Sequence, residues 1–252
     1  MNAFKYLMCV GLIFIYSDVS ANDRVILFKS NWEQGIDERV QFQRPNIESI
    51  DLVALDGFVG KFIKVKIDRN SDYSKVANGS PRAEISFGGI FRFDQKKTYV
   101  VSWQTYIPPN YEFDCEQSEL IAQIHQGPAA GYPPFAIFIS ENNTYEIHSR
   151  TQSQVDSVTA FFGKPTADVG KIVRWQLLYR PDSSGEQSIT ELKKDGVLVF
   201  SIKGVRNSYV KDNNSYLKLG LYKADWLKIK SNVQSRTLYY GAVSVEKIEG
   251  SD

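Results

Sequence analysis

The segment Tyr216-Leu217-Lys218-Leu219-Gly220-Leu221-Tyr222 alternates without a break: three leucines hold one parity, and Tyr216, Lys218, Gly220 and Tyr222 hold the other. Successive side chains of a strand point to opposite faces, so this period of two predicts a strand with one apolar face and one face of phenols and an ammonium. Arg82-Ala83-Glu84-Ile85-Ser86 repeats the split, with Ala83 and Ile85 against Arg82, Glu84 and Ser86. In 119–125 the pattern sets Leu120, Ala122 and Ile124 against Gln123 and His125. Segments with one apolar face must bury it against another layer, and a chain rich in them can do so by stacking sheet on sheet.

Further alternating or β-branched runs predict strands at 25–28, 60–67, 97–107, 135–140, 144–151, 172–180, 188–193, 197–202 and 237–246. Turn signals separate them, among them Asn78-Gly79-Ser80-Pro81, Gly88-Gly89, Pro108-Pro109-Asn110 and the hairpin dipeptide Asp195-Gly196. Helical periodicity is weak and confined to 46–52 and 165–169. Many short strands at regular spacing, with no internal repeat, predict an all-β jelly-roll sandwich of the concanavalin A type, folded as one domain. Its curved sheet would offer a concave face, and the polar sides of the first three segments belong there.

The chain opens with Lys5, an apolar run over 6–16 and Val19-Ser20-Ala21, the pattern of an export signal cut after Ala21. Residues 22–252 are then the domain, secreted or periplasmic, with no membrane association after cleavage and a monomeric state expected. Cys9 departs with the signal, so Cys115 has no intramolecular disulfide partner. Thirty basic against 29 acidic residues give a net charge of +1, which offers nothing to nucleic acid. The sequence contains no cofactor motif. His125 and His148 provide too few ligands for zinc, and a structural calcium is not indicated.

Arg, Gln, His, Tyr and Lys on the polar faces of neighbouring strands suit a polymer containing uronic acid. Its C5 proton is a poor acid while the C6 carboxylate stays negative. Arg82 can neutralise that carboxylate through a forked pair of hydrogen bonds, and Gln123 can add an amide donor as charge develops. His125 and Tyr222 are the candidate proton-transfer pair. Lys218 could hold a neighbouring carboxylate or favour a phenolate at Tyr222, and Glu84 could contact substrate or brace Arg82 and Lys218. Tyr216 reads as packing or hydrogen bonding in the groove, Trp226 as a surface for stacking a sugar, and His148 and Arg150, which share a strand face with Glu146, as further substrate contacts.

Arg82-Ala83-Glu84-Ile85, Gln123-Ile124-His125 and Tyr216-Leu217-Lys218-Leu219-Gly220-Leu221-Tyr222-Lys223 resemble, in order and rough separation, three signature motifs of jelly-roll polysaccharide lyases. The motifs are of the alginate-lyase type. Gly79-Ser80-Pro81-Arg82-Ala83-Glu84, Asp195-Gly196 and Tyr222-Lys223-Ala224-Asp225-Trp226 are similar to the heparin lyase I and glucuronan lyase branch. The resemblance spans about residues 25–248 and implies β-elimination to an unsaturated uronide. Within it, Arg82 and Gln123 neutralise the carboxylate, His125 is a base or neutralising partner, and Tyr222 is the catalytic phenol. Leu219 and Lys223 depart from the alginate pattern, which has alanine and asparagine there.

For glucuronate or mannuronate the C5 hydrogen and O4 lie on one side of the ring, so one phenol could serve as base and acid. For guluronate or iduronate they lie on opposite sides, which would assign His125 as base and Tyr222 as acid; the sequence does not choose. A non-catalytic, lectin-like sandwich for acidic glycans is the alternative reading. No Gly-x-Ser-x-Gly elbow supports a serine hydrolase, and the carboxylates Glu112, Asp114, Glu116 and Glu119 lack the apolar alternation of a glycosidase strand.

Overall fold

The computed structural model describes residues 24–127, 131–152 and 157–250. The expected export signal lies outside them. Fifteen strands run in order: β1 (Arg24–Ser30), β2 (Gln41–Gln43), β3 (Ile50–Ala54), β4 (Lys61–Asp68), β5 (Arg82–Ser86), β6 (Thr98–Tyr106), β7 (Glu119–His125), β8 (Phe135–Ile139), β9 (Tyr145–Ser149), β10 (Val158–Phe162), β11 (Ile172–Arg180), β12 (Ile189–Lys194), β13 (Val197–Lys203), β14 (Tyr216–Tyr222) and β15 (Ser235–Ile248). They build two antiparallel sheets stacked as a jelly-roll sandwich. One has the order β13-β12-β11-β6-β15-β4-β3, with β1 also on β15; the other has the order β10-β9-β8-β7-β14-β5-β2.

The core between them takes the apolar parity of each strand, including Ala83 and Ile85 of β5, Leu217, Leu219 and Leu221 of β14, and Ile63, Val65 and Ile67 of β4. Trp103 and Trp175 stack face to face within it, centroids 6.1 Å apart. Asp195 and Gly196, with φ of 50° and 82°, make the tight turn joining β12 to β13. Adjacent residues at positive φ suit the right-handed twist of a two-residue hairpin.

Two expectations change. The helical reading of 46–52 gives way to a single 3-10 turn, Ile47–Ser49, followed by strand β3, because pairing with β4 captures the β-branched run. Likewise Leu120 does not share the core face of Ala122 and Ile124. Ile121 joins them in the core instead. The cause is a β-bulge: pairing of β14 with β7 slips between Leu219 and Tyr222, so that Gly220 and Leu221 oppose the single residue Ile121. Upstream of the slip, the facing of β7 is reversed.

Candidate active site

The open face of the seven-stranded sheet carries the polar parity of β5, β7 and β14, and register decides which side chains meet. Lys218 lies opposite Ser86 on one side and Gln123 on the other, and Tyr216 lies opposite His125. At the far end of β14, Tyr222 lies opposite Arg82. The two tyrosines are six positions apart, about 20 Å along an extended strand.

Beneath this face sits Glu84, fully enclosed. Its Oε2 accepts from Lys218 Nζ at 2.6 Å and from Arg82 Nη1 at 3.4 Å, while Oε1 accepts from Gln123 Nε2 at 2.5 Å. Lys218 and Arg82 also donate to Gln43 Oε1, at 2.8 and 3.4 Å. Burial pushes the Glu84 carboxyl up, but the charges of Lys218 and Arg82 outweigh it and hold the group below its ordinary range. A buried charge requires a paired and hydrogen-bonded setting, and these residues supply one to each other. Lys218, 1% exposed, therefore lies below the groove as a support, its ammonium held by Glu84 and Gln43. The same holds for Glu84, whose bracing role is the one the geometry supports.

His125 and Tyr216 lie side by side above that support, ring centroids 5.2 Å apart. His125 Nδ1 is 2.6 Å from the carbonyl of Gln126. A carbonyl can only accept, so Nδ1 carries the hydrogen and Nε2 is the free lone pair of the neutral ring. Burial, reinforced by the positive charge of Lys218, lowers the imidazole pKa, whereas burial raises that of the Tyr216 phenol. The imidazole is thus held neutral with its lone pair free, and the phenol is held protonated.

Arg92 completes this end of the groove, and the sequence motifs did not include it. Its guanidinium lies 4.7 Å from the Tyr216 ring centroid, with Nη1 donating to the Asn214 carbonyl at 3.0 Å. Arg92, Gly127, Asn214 and Tyr216 surround a recess of about 420 Å³. Gly88 creates the room: a Cβ there would come 2.9 Å from Arg92 Nη1 and 3.1 Å from Tyr216. The available signal was Gly88-Gly89 close before a lone arginine, which by itself reads as a turn.

Other candidates sit elsewhere. The Arg82 guanidinium is 4% exposed and covers the Tyr222 ring at 3.9 Å, so it presents no fork to the groove in this structure. Tyr222 and His125 are not brought together, because register places them at opposite ends of β14. Trp226 is fully buried, donating from Nε1 to Ser231 Oγ at 3.0 Å, and cannot stack on a sugar. The segment after β14 turns inward because Lys223 pairs with Asp114 at 2.9 Å beneath the surface. His148 does lie on the open face, opposite Ala136, which itself opposes Gln123. It hydrogen bonds Glu146 and packs on Phe138, ring centroids 4.9 Å apart. Arg150 lies over the Tyr132 ring at 5.0 Å. Together they extend the groove across β8 and β9. Among the described residues no group of three or more His, Cys, Asp or Glu side chains is placed to hold a metal ion.

A jelly-roll sandwich with a long polar trough, an imidazole beside a phenol and guanidinium and amide donors around them defines a class of protein that works on anionic polymers. The chain belongs to the polysaccharide lyase family, whose model matches residues 26–244, and it is a polysaccharide lyase. Family membership sets aside the non-catalytic, lectin-like reading. Among solved structures, it is similar to an endo-β-1,4-glucuronan lyase from Trichoderma reesei, with 17% identity over 88% of this chain and 95% of that one and a TM-score of 0.68. An alginate lyase from Zobellia galactanivorans shows 18% identity over 77% and 81% of the two chains, with a TM-score of 0.52. The alginate lyase A1-II' shows 13% over 83% and 94%, also with a TM-score of 0.52. No curated protein matches the chain.

Proposed function

We propose that this lyase cleaves a uronate-containing polysaccharide by β-elimination, with neutral His125 as base and Tyr216 as acid. The C5–H bond breaks as its proton passes to His125 Nε2. The electron pair forms the C4=C5 double bond, the C4–O4 bond breaks, and O4 leaves with the Tyr216 proton. Gln123 and Arg92 engage the C6 carboxylate, stabilising the charge that develops on it. The observation carrying this reading is the His125–Tyr216 pairing across β7 and β14, with environments that push their pKa values apart.

Both rings rise from one sheet face and so approach a bound polymer from the same side. That geometry suits glucuronate or mannuronate, whose C5 hydrogen and O4 share a side, and it makes glucuronan the first substrate to test. In keeping with the N-terminal pattern, we place the enzyme outside the cytoplasm.

The test is ultraviolet absorbance of the conjugated product during incubation with glucuronan, alginates rich in either uronate, heparin, heparan sulfate and hyaluronan. Tyr216→Phe should lose about 10²–10⁴-fold in turnover, the usual contribution of a positioned acid, and Tyr222→Phe less than about tenfold. Loss confined to Tyr222→Phe would return the catalytic phenol to the far end of the strand. No absorbance change with any polymer would overturn the uronate reading.

A further inference from the structure

A cavity of about 740 Å³ lies on the other sheet, away from His125 and Tyr216. Register puts Lys193, Gln176, Ser102, Ser244 and Lys29 in one transverse row over β12, β11, β6, β15 and β1. Four strand spacings make the row about 19 Å long. Its middle offers hydroxyls and an amide, and each end carries an exposed ammonium. Arg174, exposed on β11 two residues from Gln176, adds a third cation, against the single carboxylate of Glu33 at the rim. No side-chain ion pair engages Lys29, Arg174 or Lys193 among the described residues, unlike Lys194, which bonds Asp168 at 2.8 Å. The loop after β1 and the Asp195-Gly196 hairpin stand at the two ends of this row.

We infer that this outer trough is a second binding site for the same acidic polysaccharide, holding a stretch of polymer away from the chemistry. Hydroxyl and amide donors in line suit sugar hydroxyls, and unpaired cations at both ends suit carboxylates spaced along a chain. The inference rests on the reading of the substrate as a uronate polymer.

A Lys29→Ala, Arg174→Ala, Lys193→Ala triple variant tests it by affinity electrophoresis through gels containing glucuronan or alginate, beside turnover of short oligosaccharides. Polymer retention should fall about eightfold, as three exposed ion pairs each contribute roughly a factor of two. KM for polymer should rise, with kcat and short-oligosaccharide turnover unchanged. Unaltered retention, or no retention of the parent protein by any acidic polymer, would overturn the second site. Retention that depends on these three cations, without turnover of any polymer, would instead leave this site standing and reject the proposed reaction.

Discussion

Glu84 organises the site although it never meets solvent. By accepting from Lys218, Arg82 and Gln123 it fixes three side chains from three strands and orients the Gln123 amide. Lys218 in turn places positive charge under His125, adding to burial in disfavouring the imidazolium. Activity that needs neutral His125 should therefore persist below the ordinary histidine value of 6.5. The acidic limb of kcat/KM against pH is expected under that value; a limb above it would show that His125 is not the base. At this scale alternation set Gln123, His125 and Tyr216 on one face, and the register shows them there, but alternation carries no depth. Lys218 and Trp226 carry chemistry-bearing groups, but burial turns both into supports, and a sequence does not display burial. Arg92 escaped because its relevance comes from a contact with Tyr216 across 124 positions of chain.

Strand β14 shows what alternation reveals and what it conceals. Its bounds and its leucine face were legible from period two alone. The bulge was not, since it exists only in relation to β7. Gly220 allows it: φ is +150°, and a Cβ would come 2.3 Å from the Ala83 carbonyl oxygen and 2.5 Å from Glu84 Cα. At the slip, Tyr240 from β15 of the opposite sheet donates toward the backbone carbonyls of Ile121 and Gly220, at 2.7 and 3.0 Å. A buried carbonyl left unmet costs about 1–3 kcal/mol. Gly220→Ala should destabilise the fold by about 3 kcal/mol or more, the range of steric and backbone strain in a packed interior. Denaturant unfolding checks this, and a loss under 1 kcal/mol would mean that β5 yields to the added methyl.

Among the described residues, several buried charges sit in matched sets. Besides Glu84 with Lys218 and Arg82, Arg236 clasps Glu119, tying β15 to β7, and Lys223 holds Asp114, tying the chain after β14 to the segment before β7. The Asp114 carboxyl, pushed up by burial, is brought below its ordinary value by Ser231 and Lys223. Groups whose folded pKa is depressed bind fewer protons folded than unfolded, so each loses stability as pH falls from its unfolded value through its folded one. His125 and His148, both lowered, act first, below 6.5. Glu84 and Asp114 follow, below 4.5 and 3.8. Thermal midpoints should fall in two stages between neutral pH and about pH 3. A midpoint flat down to pH 4 would contradict the histidine stage. The layered architecture was legible because apolar parity recurs in strand after strand. The pairing order was not, since each sheet joins strands distant in sequence.

One extra residue between β14 and β7 also marks off the Tyr222 end of the groove, which Glu84 joins to the His125 end through Arg82 and Lys218. Tyr216 and Lys218 keep company with His125 and Gln123, while Tyr222 keeps company with Arg82 beyond the slip. On the reading proposed above, a change at Tyr222 that keeps the Arg82–Glu84 bond alters how a polymer is gripped and leaves His125 and Tyr216 in place.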